Sequence, residues 1–204
     1  MPAEATQPAA LRLFAALDIP DSVRTGIETW SAKELTDPAL RPTVAQNLHM
    51  TLCFIGRTEA SRLDEASEAV TKLAPEPVRI RFDRAPIGKP RKRSSVWALE
   101  ADAPAAAALH QRLSARLAEA GLYEPEERPF WPHLTVARTH AERGKRRLQQ
   151  VLKVPGELPA ALLEPFDAVR VSLYRSDLRS DGAKYVSLTS LNLPPSPQSL
   201  GKER

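Results

Sequence analysis

A single cysteine, Cys53, leaves this chain of 204 residues with no internal disulfide and no cysteine cluster for a structural zinc ion. Glycine is scarce, at eight residues. None of it forms the glycine-rich loop that cradles nucleotide phosphates or a Gly-x-Ser-x-Gly elbow, so NTPase and serine-hydrolase readings lose their support. No apolar stretch approaches the ~20 residues that cross a bilayer, and the first ten residues lack the apolar centre of a secretory signal. A cytoplasmic protein without a membrane partner is expected. Charge of one sign is only mildly in excess: 29 Lys and Arg against 25 Asp and Glu leave +4. That favours a phosphate-bearing ligand but is modest for a dedicated polyanion binder.

What the chain does contain is one short phrase twice. Asn47-Leu48-His49-Met50-Thr51-Leu52 and Pro132-His133-Leu134-Thr135-Val136-Ala137-Arg138 each hold a histidine and a threonine two residues apart in an apolar run. For four His and eleven Thr, two such pairs arise by accident with odds of roughly 2%. In strands, the period of two puts His49 with Thr51, and His133 with Thr135, on one face each. Strict alternation also sets Cys53 beside the His49 face, where a small buried filler is the expected role. The same alternation turns Arg138 away from His133, so Arg138 reaches that face only past the strand end or at a bulge.

Residues 1–10 and 194–204 are Pro-rich, polar and without apolar periodicity, which predicts loose tails around a single two-lobed domain over 11–193. Hydrophobic periodicity predicts strands at Leu11–Ile19, His49–Ile55 (closed by Gly56), Val78–Ile87, Ser94–Glu100, His133–Ala137, Ala168–Tyr174 and Lys184–Leu191. Helices are predicted from Asp21 to about Leu35, over Glu59–Ala74, over Pro104–Ala120 with His110 facing solvent, and over Glu142–Leu152. Hairpins late in each half argue for an α+β fold over a doubly wound parallel sheet.

Histidine titrates near neutrality, so a neutral and a protonated imidazole facing each other can serve as base and acid in one turnover. Threonine hydroxyls can donate to the non-bridging oxygens of a phosphate. Neither segment offers an acidic residue within its strand, which argues against a metal site, and no cofactor is expected.

These segments resemble the 2H phosphoesterases. The contexts LRLFAALDIP, NLHMTLCFIG, ERPFWPHLTVAR and LYRSDLRSDGAKYVSL are similar to the RNA 2′,3′-cyclic phosphodiesterase branch, the LigT or ThpR type, historically the 2′-5′ RNA ligases. The resemblance spans about Leu11 to Leu193. It implies a bilobal, pseudo-symmetric α+β fold with one His-x-Thr strand per lobe around a central groove. It also implies metal-independent opening of RNA 2′,3′-cyclic phosphate ends to 2′-phosphates, with 2′-5′ ligation in some members.

Carried onto this chain, His49 and His133 form the acid-base pair, Thr51 and Thr135 hold the phosphate, and Arg138 contacts it. The family analogy leans towards His49 as acid and His133 as base, a choice the residues themselves leave open. The expected partner is an RNA end, such as a tRNA fragment or short oligonucleotide, met by a monomer. Two other readings are a 2′-5′ oligoadenylate or ADP-ribose cyclic phosphate as substrate, and a non-catalytic RNA-binding module. Phe14 and Trp131 are candidates for base stacking or the groove wall. The runs Arg91-Lys92-Arg93 and Lys145-Arg146-Arg147 are candidates for RNA backbone contact.

Overall fold

The computed structural model describes residues 10–90, 95–139, 151, 153–179 and 182–200. Both basic runs, His140, residues 1–9 and 201–204, the turn residues 180–181 and nearly all of the helix predicted at 142–152 lie outside the described residues. Two antiparallel sheets organise the rest, as expected for an α+β fold. The first has four strands in the order β10-β9-β1-β3, where β1 is Ala10–Asp18, β3 Met50–Glu59, β9 Arg170–Arg179 and β10 Gly182–Asn192.

The second sheet follows the path β2-β7-β6-β4-β8, with β5 added beside β6. Its strands are β2 Leu40–Pro42, β4 Arg79–Phe82, β5 Ile87–Pro90, β6 Ser95–Asp102, β7 His133–Thr139 and β8 Phe166–Asp167. His49 stands immediately before β3 and His133 opens β7. Each sheet therefore delivers one copy of the repeated phrase.

Helices close the core with their apolar stripes. α1 (Asp21–Glu34) buries Ile27 and Trp30; it packs on the short α4 (Ala160–Leu163). α2 (Leu63–Thr71) presents Ala66, Ala69 and Val70 to β9 and β10. α3 (Pro104–Glu119) starts with proline, whose missing N–H costs nothing in a first turn. Its Leu109, Leu113 and Leu117, spaced by four, are fully buried. Truncating one of them, as in Leu113→Ala, is expected to cost about 2–5 kcal/mol, read by chemical denaturation.

Several boundaries differ from the periodicity, each for a local reason. The strand predicted over 78–87 is split into β4 and β5, and Gly88 to Pro90 pair with β6 rather than looping out. Gly88 lies against the Trp97 ring, where a Cβ would stand 3.1 Å from the indole. Gly56 does not end β3: at φ +86 it turns the strand locally, and pairing resumes to Glu59. The segment predicted as a tail from 194 is held to the second sheet at Ser196 and then forms the short α5 (Pro197–Leu200). Ser196 is buried, its N–H donates to Asp167 at 2.7 Å, and its hydroxyl accepts from Arg79 at 3.0 Å.

Candidate functional site: two bulged strands across one groove

Both His-x-Thr strands carry a bulge at the same step. Opposite β1, Thr51 pairs with Ala16 and Cys53 with Ala15, leaving Leu52 as the extra residue. Opposite β6, Thr135 pairs with Ala98 and Ala137 with Trp97, leaving Val136 extra. The extra residue is the third after the histidine in each copy. Each freed carbonyl has its own donor: His110 Nδ1 lies 2.9 Å from the Leu52 oxygen, and the Thr43 N–H lies 2.7 Å from the Val136 oxygen.

The bulges decide which side chains reach the groove. Leu52 and Cys53 are both buried, as are Val136 and Ala137, and the next residue in each strand, Phe54 or Arg138, is exposed. Arg138 therefore shares the face of His133 and Thr135 by the bulge that strict alternation required of it. The bulge corrects the placement of Cys53, which points into the core. Burial, then the charge of Glu126, pushes its thiol up to about 12, so it is inert filler. His110 is corrected as well: it stacks on Phe130 at 4.5 Å and buttresses β3 instead of facing solvent.

A cavity of about 1000 Å³ opens between the sheets and holds His49, Thr51, His133, Thr135 and Arg138 together, with Phe14 in its wall. Trp131 lies outside that lining and stacks on the back of His133. Phe54, Arg12, Arg41, Lys184 and Tyr185 line the cavity too, and none of them was picked out as a site residue. A comparison of the two phrases would have found Phe54, since it occupies in the first copy the step that Arg138 occupies in the second. Arg41 lies on β2, three residues with no periodicity of their own.

Both imidazoles are held in the same tautomer. His49 Nδ1 is 2.7 Å from the Asn47 carbonyl oxygen and His133 Nδ1 is 2.8 Å from that of Trp131. Each Nδ1 therefore carries its proton, and Nε2 is left to do chemistry; in His49 it lies 3.1 Å from the Thr51 hydroxyl. The turn before His49 is pinned by Arg24, which donates to the Ala45 and Leu48 carbonyls at 2.5 and 3.0 Å. Asn47 Nδ2 ties it to the Ala183 carbonyl at 2.8 Å.

Phe14 (4.9 Å) and, edge-on, Tyr185 (5.3 Å) enclose the His49 ring. Burial lowers its pKa to about 4, outweighing the Asn47 hydrogen bond and the charge of Asp18, while His133 and Arg138 lower it further. The folded ring binds a proton less well than the unfolded chain does. The contribution to stability is complete above pH 6.5 and is lost as pH falls towards 4, by up to about 3 kcal/mol. Denaturation at pH 7 and pH 4.5 is expected to show this loss, and His49→Gln to reduce the difference.

Electrostatics favour an anion in the groove. Among the described residues lining it, Arg12, Arg41, Arg138 and Lys184 are cationic, and none is Asp or Glu. Arg41 pairs directly with Arg138 across β2 and β7, an arrangement of like charges that an anion relieves. The Arg41 guanidinium also lies where a Cβ on Gly182 would be, 2.5 Å away, so glycine at that position keeps room for it. Apolar surface is concentrated here as well: the exposed Val44, Phe54 and Leu178 all face this cavity. The Arg12 guanidinium stands 4.8 Å over the Phe54 ring.

Known proteins share the sequence pattern and the fold. The family model described as the 2′-5′ RNA ligase superfamily matches residues 19–179. The chain is 31% identical over 132 residues to the RNA 2′,3′-cyclic phosphodiesterase of Escherichia coli strain K12, covering 64% of this chain and 73% of that one. It is 27% identical over 187 residues to the protein of the same name from Methanothermobacter thermautotrophicus, covering 90% and 99%. A solved structure from Thermus thermophilus superimposes with a TM-score of 0.72 at 26% identity, over 91% of this chain and 100% of that one. Escherichia coli LigT complexed with NADP+ gives 0.70 at 25% identity, over 91% and 99%.

Proposed function

Because the chain belongs to the 2′-5′ RNA ligase superfamily, we propose that it opens the 2′,3′-cyclic phosphate at an RNA 3′ end to a 2′-phosphate, using His49 and His133 and no metal. The observation that carries this reading is the pair of Nε2 atoms presented to one anion-favouring groove by two strands of the same bulged design. Water forms a bond to phosphorus and gives a proton to one imidazole. The bond from phosphorus to O3′ breaks, and the second imidazole supplies the proton that makes the 3′ hydroxyl. Thr51, Thr135 and Arg138 donate to the non-bridging oxygens, where charge concentrates as the bond changes proceed. With an RNA 5′ hydroxyl in place of water, the same proton transfers form a 2′-5′ linkage as the bond to O3′ breaks, and attack of the 3′ hydroxyl on that linkage, expelling O5′, runs the reaction backwards.

Phe54 and Leu178, both exposed in the groove, give the terminal base an apolar platform, and Phe54→Ala is expected to raise KM by about fivefold or more. Arg41 and Lys184 suit the next phosphate of the chain. Arg41→Ala is expected to raise KM for an oligonucleotide end more than for a mononucleotide 2′,3′-cyclic phosphate, and to flatten the salt dependence of KM. Equal effects on both substrates would remove Arg41 from backbone binding. The substrate class is tested by a panel in EDTA: an oligoribonucleotide 2′,3′-cyclic phosphate, a 2′-5′ diadenylate and an ADP-ribose cyclic phosphate. Fastest turnover of the first, at a rate unchanged by the chelator, is expected. Preference for either other substrate, or loss of turnover in EDTA, would overturn the reading.

A further inference from the structure

The two bulges fall at the same step but are held by different means. β7 lies between β2 and β6, so the carbonyl freed at Val136 is met by the main chain, through the N–H of Thr43 just past the end of β2. β3 is the outer strand of its sheet, and among the described residues only β1 pairs with it. The carbonyl freed at Leu52 is met instead by a side chain of α3, His110, whose Nδ1 stands 2.9 Å away. On the phosphodiesterase reading, we propose that His110 is a positioning residue: it fixes the bulge in β3 and so keeps His49 and Thr51 at the reacting phosphate and Phe54 under the terminal base at once.

A carbonyl oxygen only accepts, so His110 carries a proton on Nδ1. The same nitrogen stands 3.6 Å from Cys53 Sγ, which sets the ring over both residues that the bulge turns into the core. An extra residue in a strand has no ladder partner of its own, and a buried carbonyl without a donor is costly. Removing the donor therefore favours loss of the bulge. Strict alternation would then carry Cys53 to the groove face and Phe54 away from it.

The ring also ties the first phrase to the second. Phe130 stacks on it, with centroids 4.5 Å apart and planes 14° from parallel, in the segment that leads into His133. Next to Phe130, the Trp131 Nε1–H donates to Glu100 Oε1 on β6 at 2.5 Å. The approach to one catalytic strand thus rests on the residue that shapes the other. His110 itself does not line the groove, so it acts through β3 and not on the ligand.

The single cysteine makes the bulge readable without substrate. Cys53 is 1% exposed. In native buffer, His110→Leu is expected to raise the rate of Cys53 labelling by an aromatic disulfide about tenfold or more over the parent protein. It should also exceed the rate of Leu113→Ala, which destabilises the same helix and leaves the clamp in place. His110→Asn, whose Nδ2 can stand where the ring Nδ1 stood, should label slowly. Labelling of His110→Leu no faster than that of Leu113→Ala overturns the proposal. So does an NMR spectrum of the parent protein in which the neutral His110 ring carries its proton on Nε2, a result that needs no variant to fold.

Catalysis supplies a second readout. With an RNA 2′,3′-cyclic phosphate end, His110→Leu should raise KM about fivefold, as Phe54→Ala does, and lower kcat about tenfold. On the Phe54→Ala background its effect on KM should vanish while that on kcat persists, because the ring acts on KM by way of Phe54. Effects on KM that multiply overturn the proposal. His110→Asn should keep most of both constants. If the parent protein turns over no cyclic phosphate, the phosphodiesterase reading fails, and the labelling and the ring proton still decide the action of His110.

Discussion

Alanine at His49 or at His133 is expected to lower kcat by about 10²–10⁴-fold each while the protein stays folded. The reason is geometric. Each ring is locked by its Nδ1 on a backbone carbonyl, so each offers one nitrogen at a fixed place, and no other described residue lining the groove is His, Cys, Asp or Glu. The double variant should lose little more than the worse single one, because the two transfers belong to one step. Circular dichroism and the denaturation midpoint at pH 7 serve as controls. Substantial activity in either single variant, with the fold intact, would contradict a two-histidine mechanism.

Asp18→Ala is expected to give the largest loss of stability among polar substitutions, about 3–5 kcal/mol, or roughly 6–20 °C in Tm. Asp18 is buried and accepts from Arg170 at 2.6 Å, Ser172 at 2.9 Å and Tyr174 at 2.6 Å. The three donors are alternate residues of β9, so one carboxylate satisfies a whole strand face. Burial, and then the hydrogen bond and charge of Asp18, push the Tyr174 phenol up to about 12. It remains a donor throughout the neutral range, and its contribution is lost only above pH 10, as pH rises towards 12.

The effect should extend to catalysis. Tyr174 stacks on Phe14 at 5.2 Å, and Phe14 in turn packs on His49. Asp18→Asn, which keeps two of the acceptor positions, should be milder in both respects. Equal stability of Asp18→Ala and the parent protein would contradict this account of the network.

The paired histidines and the α+β class were legible because both rest on short-range pattern: a histidine and a threonine two apart, and strands and helices of ordinary period. Arg138 marks the edge of legibility. Its placement depends on an extra residue at Val136, and a bulge is stabilised by a distant donor, the Thr43 N–H, which no local pattern reveals. The same holds for His110, which reads as solvent-facing on its helix until the Leu52 carbonyl is seen to need a donor. Trp131 shows another limit. Its position just before Pro132-His133 suggested a groove residue, but whether a ring faces the ligand or the neighbouring imidazole is set by Glu100 on another strand. The short strand carrying Arg41 and the docking of Ser196 are likewise tertiary, formed by partners remote in sequence.

Two imidazoles in one groove are expected to open a cyclic phosphate towards the 2′ side. This is tested most directly by following an oligoribonucleotide 2′,3′-cyclic phosphate by phosphorus NMR in EDTA. Conversion to a 2′-phosphomonoester with a free 3′ hydroxyl, abolished by His49→Ala or His133→Ala, is expected. A 3′-phosphomonoester as product, or no conversion by the intact protein, would contradict it.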